Sequence, residues 1–139
     1  MLDIEDVHNL LKKTIEKKSK ISTLACQIED EKFFLNKNVV KVTTKDELHQ
    51  NNLSTATSFT REIKNTQKNI YHHIGIYIYN VSYLEKFVQL EQTQNEKLQK
   101  LEQLRLVDNN IEIDVGLAKT KPIGVDTDCL LYTSDAADE

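Results

Sequence analysis

The segment from His72 to Asn80 alternates with a period of two, and it restricts the fold more than any other part of the chain. A β-strand points successive side chains to opposite faces, so this segment is predicted to be a strand whose three isoleucines share one face. The other face carries His73, Gly75, Tyr77 and Tyr79. The isoleucine face indicates a core. Periodicity alone leaves the other face open, either as a cleft that receives a ligand or as an ordinary solvent-facing side of a sheet.

Helical and strand patterns are mixed along the rest of the chain. Helices are predicted over residues 3–18, 83–90 and 95–107, and further strands over 21–28, 39–44, 56–61 and 111–118. Helices packed on a sheet are the natural architecture for this order of elements. The chain opens on a helix, whereas a doubly wound domain normally opens with a strand and a ligand loop. We therefore expect an incomplete α/β sheet with exposed apolar strand edges.

The predicted helices have recognisable starts and buried sides. Asp3 is suited to cap the first helix, and the segments 82–85 and 93–96 both fit the capping-box pattern. Leu98, Leu101 and Leu104 recur at helical spacing and are predicted to form the buried side of the helix 95–107.

The composition is that of one globular domain. The 139 residues are 39% hydrophobic and 29% charged, and no apolar run approaches the length of about 18 residues that suggests a membrane span. The acidic N-terminus lacks the features of a secretory signal, so a cytoplasmic location is predicted, with no membrane partner. Cys26 lies in an apolar run and is predicted to be a small core residue.

Residues 129–139 are predicted to be a non-native tail. Their sequence, CLLYTSDAADE, matches one reading frame of a common transposon-end sequencing adapter, so these residues are not expected to belong to the fold. Residues 1–128 then carry 18 Lys and Arg against 19 Asp and Glu, a net charge of −1. A nearly neutral domain offers no basic field that would favour a nucleic-acid partner.

Two further segments carry groups that are suited to chemistry. Glu102 and Arg105 are three residues apart on a predicted helix, where a surface ion pair is the simplest interpretation. Asp126 lies in the Gly-Val-Asp-Thr turn 124–127, where it is either a Mg²⁺ ligand or an ordinary turn residue. The three glycines are scattered, so no phosphate-binding glycine-rich loop is present, and no zinc spacing is found.

In order and spacing, three blocks of the sequence resemble the C-terminal half of the 3-deoxy-manno-octulosonate cytidylyltransferases (CMP-Kdo synthetases). The blocks are HHIGIYIY at 72–79, LEQLR at 101–105 and GVDT at 124–127. Residues 21–25, 38–42 and 59–61 resemble the middle strands and active-site segment of the same family. The resemblance implies an incomplete three-layer, nucleotide-diphospho-sugar-transferase-like (Rossmann-like) sheet with flanking helices.

The resemblance also implies an activity and a site. The family transfers CMP from CTP to 3-deoxy-manno-octulosonate (Kdo), releasing pyrophosphate, with Mg²⁺ as cofactor, and it works as a homodimer in lipopolysaccharide synthesis. By position, Arg61, His73, Tyr77, Glu102 and Gln103 are expected to bind substrate. Asp126 is expected to bind the metal. Arg61 is followed by Glu-Ile-Lys-Asn, where the family usually has an Ala-x-Ile-Pro-like run.

The resemblance makes residues 1–128 the C-terminal part of a cytidylyltransferase domain whose N-terminal, nucleotide-binding half is missing. Met1 would then be an internal methionine that follows the family's Gln-Gly-Asp-Glu-Pro motif, and the chain by itself is expected to fold poorly and to be inactive in a pyrophosphate-release assay. Two alternatives stay open. One is a cytidylyltransferase for another acidic sugar, such as a sialic acid, and the other is a non-catalytic module that binds a sugar acid or a partner.

Overall fold

The computed structural model describes residues 3–28, 32, 35–62 and 68–119. The described strands are β1 (Ile21–Cys26), β2 (Lys41–Thr44), β3 (Leu53–Thr60), β4 (Ile70–Tyr79) and β5 (Asp114–Leu117). The longer described helices are α1 (Ile4–Lys17), α2 (Val81–Gln89), α3 (Gln94–Gln99) and α4 (Leu104–Asp108). A mixed α/β fold with a sheet and flanking helices is therefore confirmed. The turn 124–127 and the tail 129–139 lie outside the described residues.

The five described strands form a closed ring in the order β1-β4-β2-β3-β5. β5 closes the ring because it pairs on both sides, parallel with β1 and antiparallel with β3. The other neighbouring pairs are antiparallel. The expectation of exposed strand edges is therefore wrong for the described strands, since each of them has two hydrogen-bonded neighbours.

Helix α1 covers one side of the β1-β4 pair. Asp3 caps the helix by accepting a hydrogen bond from the Glu5 amide at 3.0 Å, as the sequence predicts. Leu10 is fully buried in a cluster that includes Leu24 and Cys26, so the prediction that the cysteine is a core residue is confirmed. We call this side of β4, where Ile74 and Ile78 also pack, the α1 side.

The approach of α1 to β5 depends on a residue without a side chain. A Cβ atom placed on Gly116 would lie 2.9 Å from Leu10 Cδ1 and 3.0 Å from Leu53 Cδ2. Real Cβ contacts are essentially never shorter than 3.0 Å, so the ends of both leucine side chains would have to shift to admit a larger residue. Gly116 therefore leaves the space that these two side chains occupy between the helix and the sheet.

Helix α2 begins earlier than predicted. Its N-cap is Asn80, whose side chain accepts a hydrogen bond from the Ser82 amide at 3.1 Å, so the predicted capping box at 82–85 is wrong. The second predicted capping box is confirmed, because the Thr93 side chain and the Glu96 side chain each accept a hydrogen bond from the other's backbone amide. The side-chain oxygen of Asn80 thus caps the helix in place of the Ser-x-x-Glu box that the sequence predicted.

The predicted helix 95–107 is wrong as a continuous element, because it is divided into α3 and α4. Lys100 adopts the left-handed conformation with φ 56°, which ends α3 and turns the chain. The turn also breaks the predicted leucine side: Leu101 and Leu104 are buried, whereas Leu98 is 74% exposed. Residues 101–103 therefore form a short connection between two helices.

None of the helices in the described ranges combines the length and the apolar character needed to cross a membrane.

Candidate functional site

The side of β4 opposite α1 carries a continuous series of aromatic rings. Neighbouring ring centroids are 5.1 Å apart for Phe59 and His73, 5.5 Å for His73 and Tyr77, 5.8 Å for Tyr77 and Tyr79, and 6.3 Å for Tyr79 and Phe87. These separations fall within the range of favourable ring contacts. We call this series the aromatic row. The predicted grouping of His73, Tyr77 and Tyr79 on one side of the strand is confirmed.

His73 lies between Phe59 and Tyr77 in the aromatic row and is 9% exposed. Its Nε2 atom is 2.9 Å from the hydroxyl of Thr23 on the neighbouring strand β1. Burial, and to a smaller extent the charge of the neighbouring His72, lowers the pKa of His73 to about 4. The imidazole is therefore neutral at physiological pH, and it acts there as a hydrogen-bonding group without charge.

Tyr77 has the most informative hydroxyl group in the aromatic row. The oxygen is buried, and it has no hydrogen-bond partner among the described residues. Burial raises the pKa of this hydroxyl, and Tyr79 and Glu102 raise it further, so the group stays protonated and can donate. A buried hydroxyl without a partner costs about 1–3 kcal/mol, and such groups in native structures require an explanation.

Glu102 and Gln103 lie in the short connection between α3 and α4. Glu102 is exposed, and its negative charge raises the pKa of Tyr79, although burial of Tyr79 is the larger cause. The carboxylate therefore acts on two tyrosine hydroxyls of the aromatic row. Gln103 is half-buried at the N-cap position of α4, where its side chain makes no capping hydrogen bond. The connection thus places Glu102, a predicted site residue, where its charge affects the pKa values of Tyr77 and Tyr79 on β4.

An ion pair that the sequence analysis missed holds the two ends of this connection. Arg105 donates two hydrogen bonds to Glu96, from Nε at 2.9 Å and from Nη2 at 2.7 Å, and both side chains are largely buried. The guanidinium also lies 4.6 Å from the ring centroid of Phe87. Arg105 therefore makes its close ion pair with Glu96, so the simple surface pair with Glu102 is wrong. The sequence feature that pointed to this pair was Glu96, which the predicted capping box already places at the start of the helix.

Arg61 lies at the start of the same connection. Its guanidinium donates to the backbone carbonyls of Gln99 at 3.0 Å and Lys100 at 3.3 Å, and to that of Lys37 at 3.2 Å. These bonds use three of the five N–H groups of an arginine and satisfy carbonyls at the end of α3. Arg61 thus supports the connection that carries Glu102, and its contact with substrate stays a prediction.

Asp126, the predicted metal ligand, lies outside the described residues. Within the described ranges, no group of three or more His, Cys, Asp or Glu side chains is arranged to hold a metal ion. The Mg²⁺ site therefore stays a prediction.

Comparison with known proteins places this geometry in a family. The profile of a family described as "Cytidylyltransferase" matches residues 1–113, which is more than half of the chain. The chain belongs to the cytidylyltransferase family. The proteins named 3-deoxy-manno-octulosonate cytidylyltransferase from Brucella anthropi and Brucella ovis are each 44% identical to it over 108 residues. Those matches cover 77% of this chain and 43% of each relative, so this cytidylyltransferase chain spans less than half the length of those relatives.

Solved structures give the same result for the fold. The structure described as CMP:2-keto-3-deoxy-manno-octonic acid synthetase complexed with CTP superimposes with a TM-score of 0.76 at 28% identity. It covers 99% of this cytidylyltransferase chain and 57% of the other. A UTP-bound UGPase from Acinetobacter baumannii superimposes with a TM-score of 0.58 over 84% of this chain and 38% of its own. At 10% identity, that second likeness shows the fold alone.

Proposed function

We propose that this chain carries the sugar-acid pocket of a cytidylyltransferase that activates Kdo with CTP. The observation that carries the proposal is the hydroxyl of Tyr77, which is buried, protonated and without a partner among the described residues. A ligand that supplies an acceptor oxygen would remove the cost of this unpaired group. The names of the Brucella relatives and the CTP in the related solved structure support Kdo and CTP as the two substrates.

The proposed reaction is a transfer of CMP. The anomeric 2-hydroxyl oxygen of Kdo attacks the α-phosphorus of CTP, and a new carbon–oxygen–phosphorus linkage forms as the bond to the β-phosphate oxygen breaks. The hydroxyl proton is released, and pyrophosphate leaves. Holding the sugar in one orientation toward the nucleotide contributes to rate because the reacting atoms meet with little further loss of entropy. Positioning the sugar is the task that we assign to the aromatic row and its neighbours.

Each proposed site residue offers a different kind of contact. His73 is neutral and offers a hydrogen bond without charge, and Tyr77 offers a donor. The Glu102 carboxylate is suited to accept hydrogen bonds from sugar hydroxyls, and the Gln103 amide offers both a donor and an acceptor. The two N–H groups of Arg61 that take no part in its bonds to the Lys37, Gln99 and Lys100 carbonyls are suited to the sugar carboxylate.

Other parts of the proposal rest on the family resemblance. Asp126 is proposed to hold Mg²⁺, which when bound would neutralise charge on the phosphates of CTP. We also propose that the parent enzyme is a homodimer in the cytoplasm that serves lipopolysaccharide synthesis. These statements concern the whole enzyme. This chain spans less than half the length of the curated relatives that it matches.

The proposal is tested by nuclear magnetic resonance of the chain labelled at histidine and tyrosine. Titration with Kdo is expected to shift the signals of His73 and Tyr77, while those of the exposed His8 and His49 stay in place and act as internal references. A folded chain in which Kdo moves none of the aromatic-row signals contradicts the proposal. So does a shift confined to His8 or His49.

A second titration separates the sugar acids. N-Acetylneuraminate and a neutral hexose are added under the same conditions, and both are expected to shift the His73 and Tyr77 signals less than Kdo does at equal concentration. A larger response to the neuraminate would replace Kdo by a sialic acid as the substrate. An equal response to the neutral hexose would show that the carboxylate is not recognised.

A further inference from the structure

β4 contains an irregularity opposite Thr23. In the register of β1 and β4, Thr23 pairs with Tyr77, but the next residue, Leu24, pairs with Ile74. Two residues of β4, Gly75 and Ile76, are therefore extra and form a bulge. Such bulges commonly redirect groups near functional sites. Here the bulge brings two backbone carbonyl oxygens of β4 to one side chain of β1.

The hydroxyl of Thr23 is surrounded by three polar atoms. Its oxygen is 2.7 Å from the carbonyl oxygen of Ile76, 3.2 Å from that of Ile74 and 2.9 Å from Nε2 of His73. Thr23 is fully buried, so water does not compete for these positions. The side chain is therefore committed to β4 and to the imidazole.

The number of protons available in this cluster determines which atom is the donor in each hydrogen bond. A threonine hydroxyl has one proton, and a carbonyl oxygen only accepts. The short contact with the Ile76 carbonyl thus takes the Thr23 proton, because otherwise two oxygen lone pairs would face each other at 2.7 Å. The hydroxyl is then left with acceptor capacity only toward His73. Nε2 must donate, and the ring proton of the neutral imidazole lies on that nitrogen.

We propose that Thr23 is a positioning residue that fixes His73 as the Nε2–H tautomer, so that its Nδ1 accepts a hydrogen bond from a hydroxyl of the bound sugar. The inference about the sugar rests on the proposed function, whereas the inference about the tautomer does not. A neutral Nδ1 would repel a carboxylate oxygen, since both carry lone pairs. The acidic end of the sugar is therefore directed away from His73, toward the donors Tyr77 and Arg61.

The edge-to-face contact with Phe59 supports a fixed ring orientation. The two ring planes meet at 81° with centroids 5.1 Å apart, and Phe59 is itself buried. Rotation of the imidazole by half a turn would keep this ring plane, but it would break the bond from Nε2 to Thr23. The Phe59 contact therefore restricts the plane of the ring, and the Thr23 bond selects between the two orientations that share that plane.

The tautomer is measured on the 139-residue chain labelled with ¹⁵N at histidine, without any sugar. Long-range proton–nitrogen spectra distinguish a protonated ring nitrogen from one with a lone pair. We expect Nε2–H to exceed Nδ1–H by about tenfold at His73, an excess of the size that one hydrogen bond supplies. The exposed His8 and His49 give the mixture of an unconstrained ring in the same sample.

Two variants of Thr23 separate positioning from packing. Thr23→Ser keeps the hydroxyl and is expected to keep the His73 tautomer. Thr23→Val keeps the shape, removes the hydroxyl and is expected to move the His73 tautomer ratio toward that of His8. An unprotonated Nε2 at His73 in the wild-type chain overturns the proposal. An unchanged His73 tautomer ratio in a folded Thr23→Val chain also overturns it. If Thr23→Val does not fold, the wild-type and serine spectra still decide the matter.

Addition of Kdo then tests the part that concerns the substrate. A hydroxyl that donates to Nδ1 is expected to shift that nitrogen toward the value of a protonated one, with Nε2 nearly unchanged. If Kdo shifts Tyr77 but not Nδ1, the proposed function stands and the sugar contact of His73 is overturned. If Kdo shifts neither residue, the proposed function fails while the tautomer measured without sugar stands.

Discussion

The two ends of β4 use the same residue type in opposite ways. Tyr71, near the start of the strand, is 3% exposed, and its hydroxyl accepts a hydrogen bond from the Leu48 amide at 2.8 Å. Tyr77, toward the other end, has a buried hydroxyl that lacks a partner among the described residues. One tyrosine therefore fastens a loop to the sheet, and the other retains an unused donor. The contrast teaches that satisfied polar groups mark structure here, whereas the unsatisfied one marks the candidate site.

The largest effect is expected from His73, which lies between these two tyrosines. Its pKa is about 4 in the folded chain, against 6.5 for an ordinary histidine. Below pH 6.5 the unfolded chain takes up a proton that the folded chain does not, so stability falls as the pH drops from 6.5 toward 4. At 1.36 kcal/mol per pKa unit, the loss attributable to His73 is about 3 kcal/mol.

Chemical denaturation at a series of pH values measures this loss. His73→Gln is the control, because it retains a donor near the position of Nε2 but does not titrate in this range. The wild-type chain is expected to lose about 3 kcal/mol more than the variant between pH 6.5 and pH 4. Parallel curves for the two chains would mean that His73 is not buried as a neutral ring.

The second largest effect is expected at the structural end of β4. Tyr71→Phe removes the acceptor for the Leu48 amide, which is buried beside it. An unsatisfied buried amide costs about 1–3 kcal/mol, so we expect a destabilisation of about 2 kcal/mol in urea denaturation. A variant as stable as the wild type would show that the amide finds another acceptor, and the two ends of the strand would then be alike.

A change of opposite sign is expected from the same substitution at Tyr77. Tyr77→Phe removes a buried hydroxyl that has no partner in the described part of the chain, so we expect the free energy of unfolding to rise by about 1 kcal/mol. A polar group that is kept unsatisfied for function lowers stability, and its removal recovers that loss. Equal destabilisation by Tyr77→Phe and Tyr71→Phe would remove the contrast between the two ends of β4.

The smallest effect is expected from Glu102→Gln. Glu102 is exposed, so the variant is expected to change stability by less than about 0.5 kcal/mol. Removal of the carboxylate is nevertheless expected to lower the pKa of Tyr79 toward its ordinary value, because the negative charge of Glu102 contributes to the raised pKa. Ultraviolet titration of the tyrosines measures this change. Glu112→Gln, at another exposed position, is the control and is expected to leave the Tyr79 pKa unchanged.

The parts of the fold that depend on local patterns were predictable. The alternation in residues 72–79 correctly separated Ile74 and Ile78 from His73, Tyr77 and Tyr79. Asp3 and Thr93 were correctly predicted to cap helices. These features depend on neighbours within a few residues. The ring closure was not predictable, because β5 pairs with strands that begin more than 50 residues earlier.

The interactions that hold the candidate site in place could not be predicted from local sequence patterns, for the same reason. The end of α3 at Lys100 is satisfied by Arg61, which is 39 residues earlier, so helix propensity alone favoured a continuous helix. The bulge opposite Thr23, and a Tyr77 hydroxyl without a partner in the described ranges, arise only when the strands pair. Family resemblance predicted Tyr77 and Glu102 as site residues, and the structure adds that the Tyr77 hydroxyl is buried with no partner among the described residues.

The central claim is that the buried hydroxyl of Tyr77, which has no partner in the part of the chain that the structure describes, binds the sugar acid. Calorimetric titration with Kdo tests this claim most directly. The wild-type and Tyr71→Phe chains are compared with Tyr77→Phe at a temperature where all three are folded. We expect the first two to bind Kdo with similar affinity and Tyr77→Phe to bind about tenfold more weakly, as the loss of one hydrogen bond predicts. Equal affinity of all three chains for Kdo, or no binding by the folded wild type, would contradict the claim.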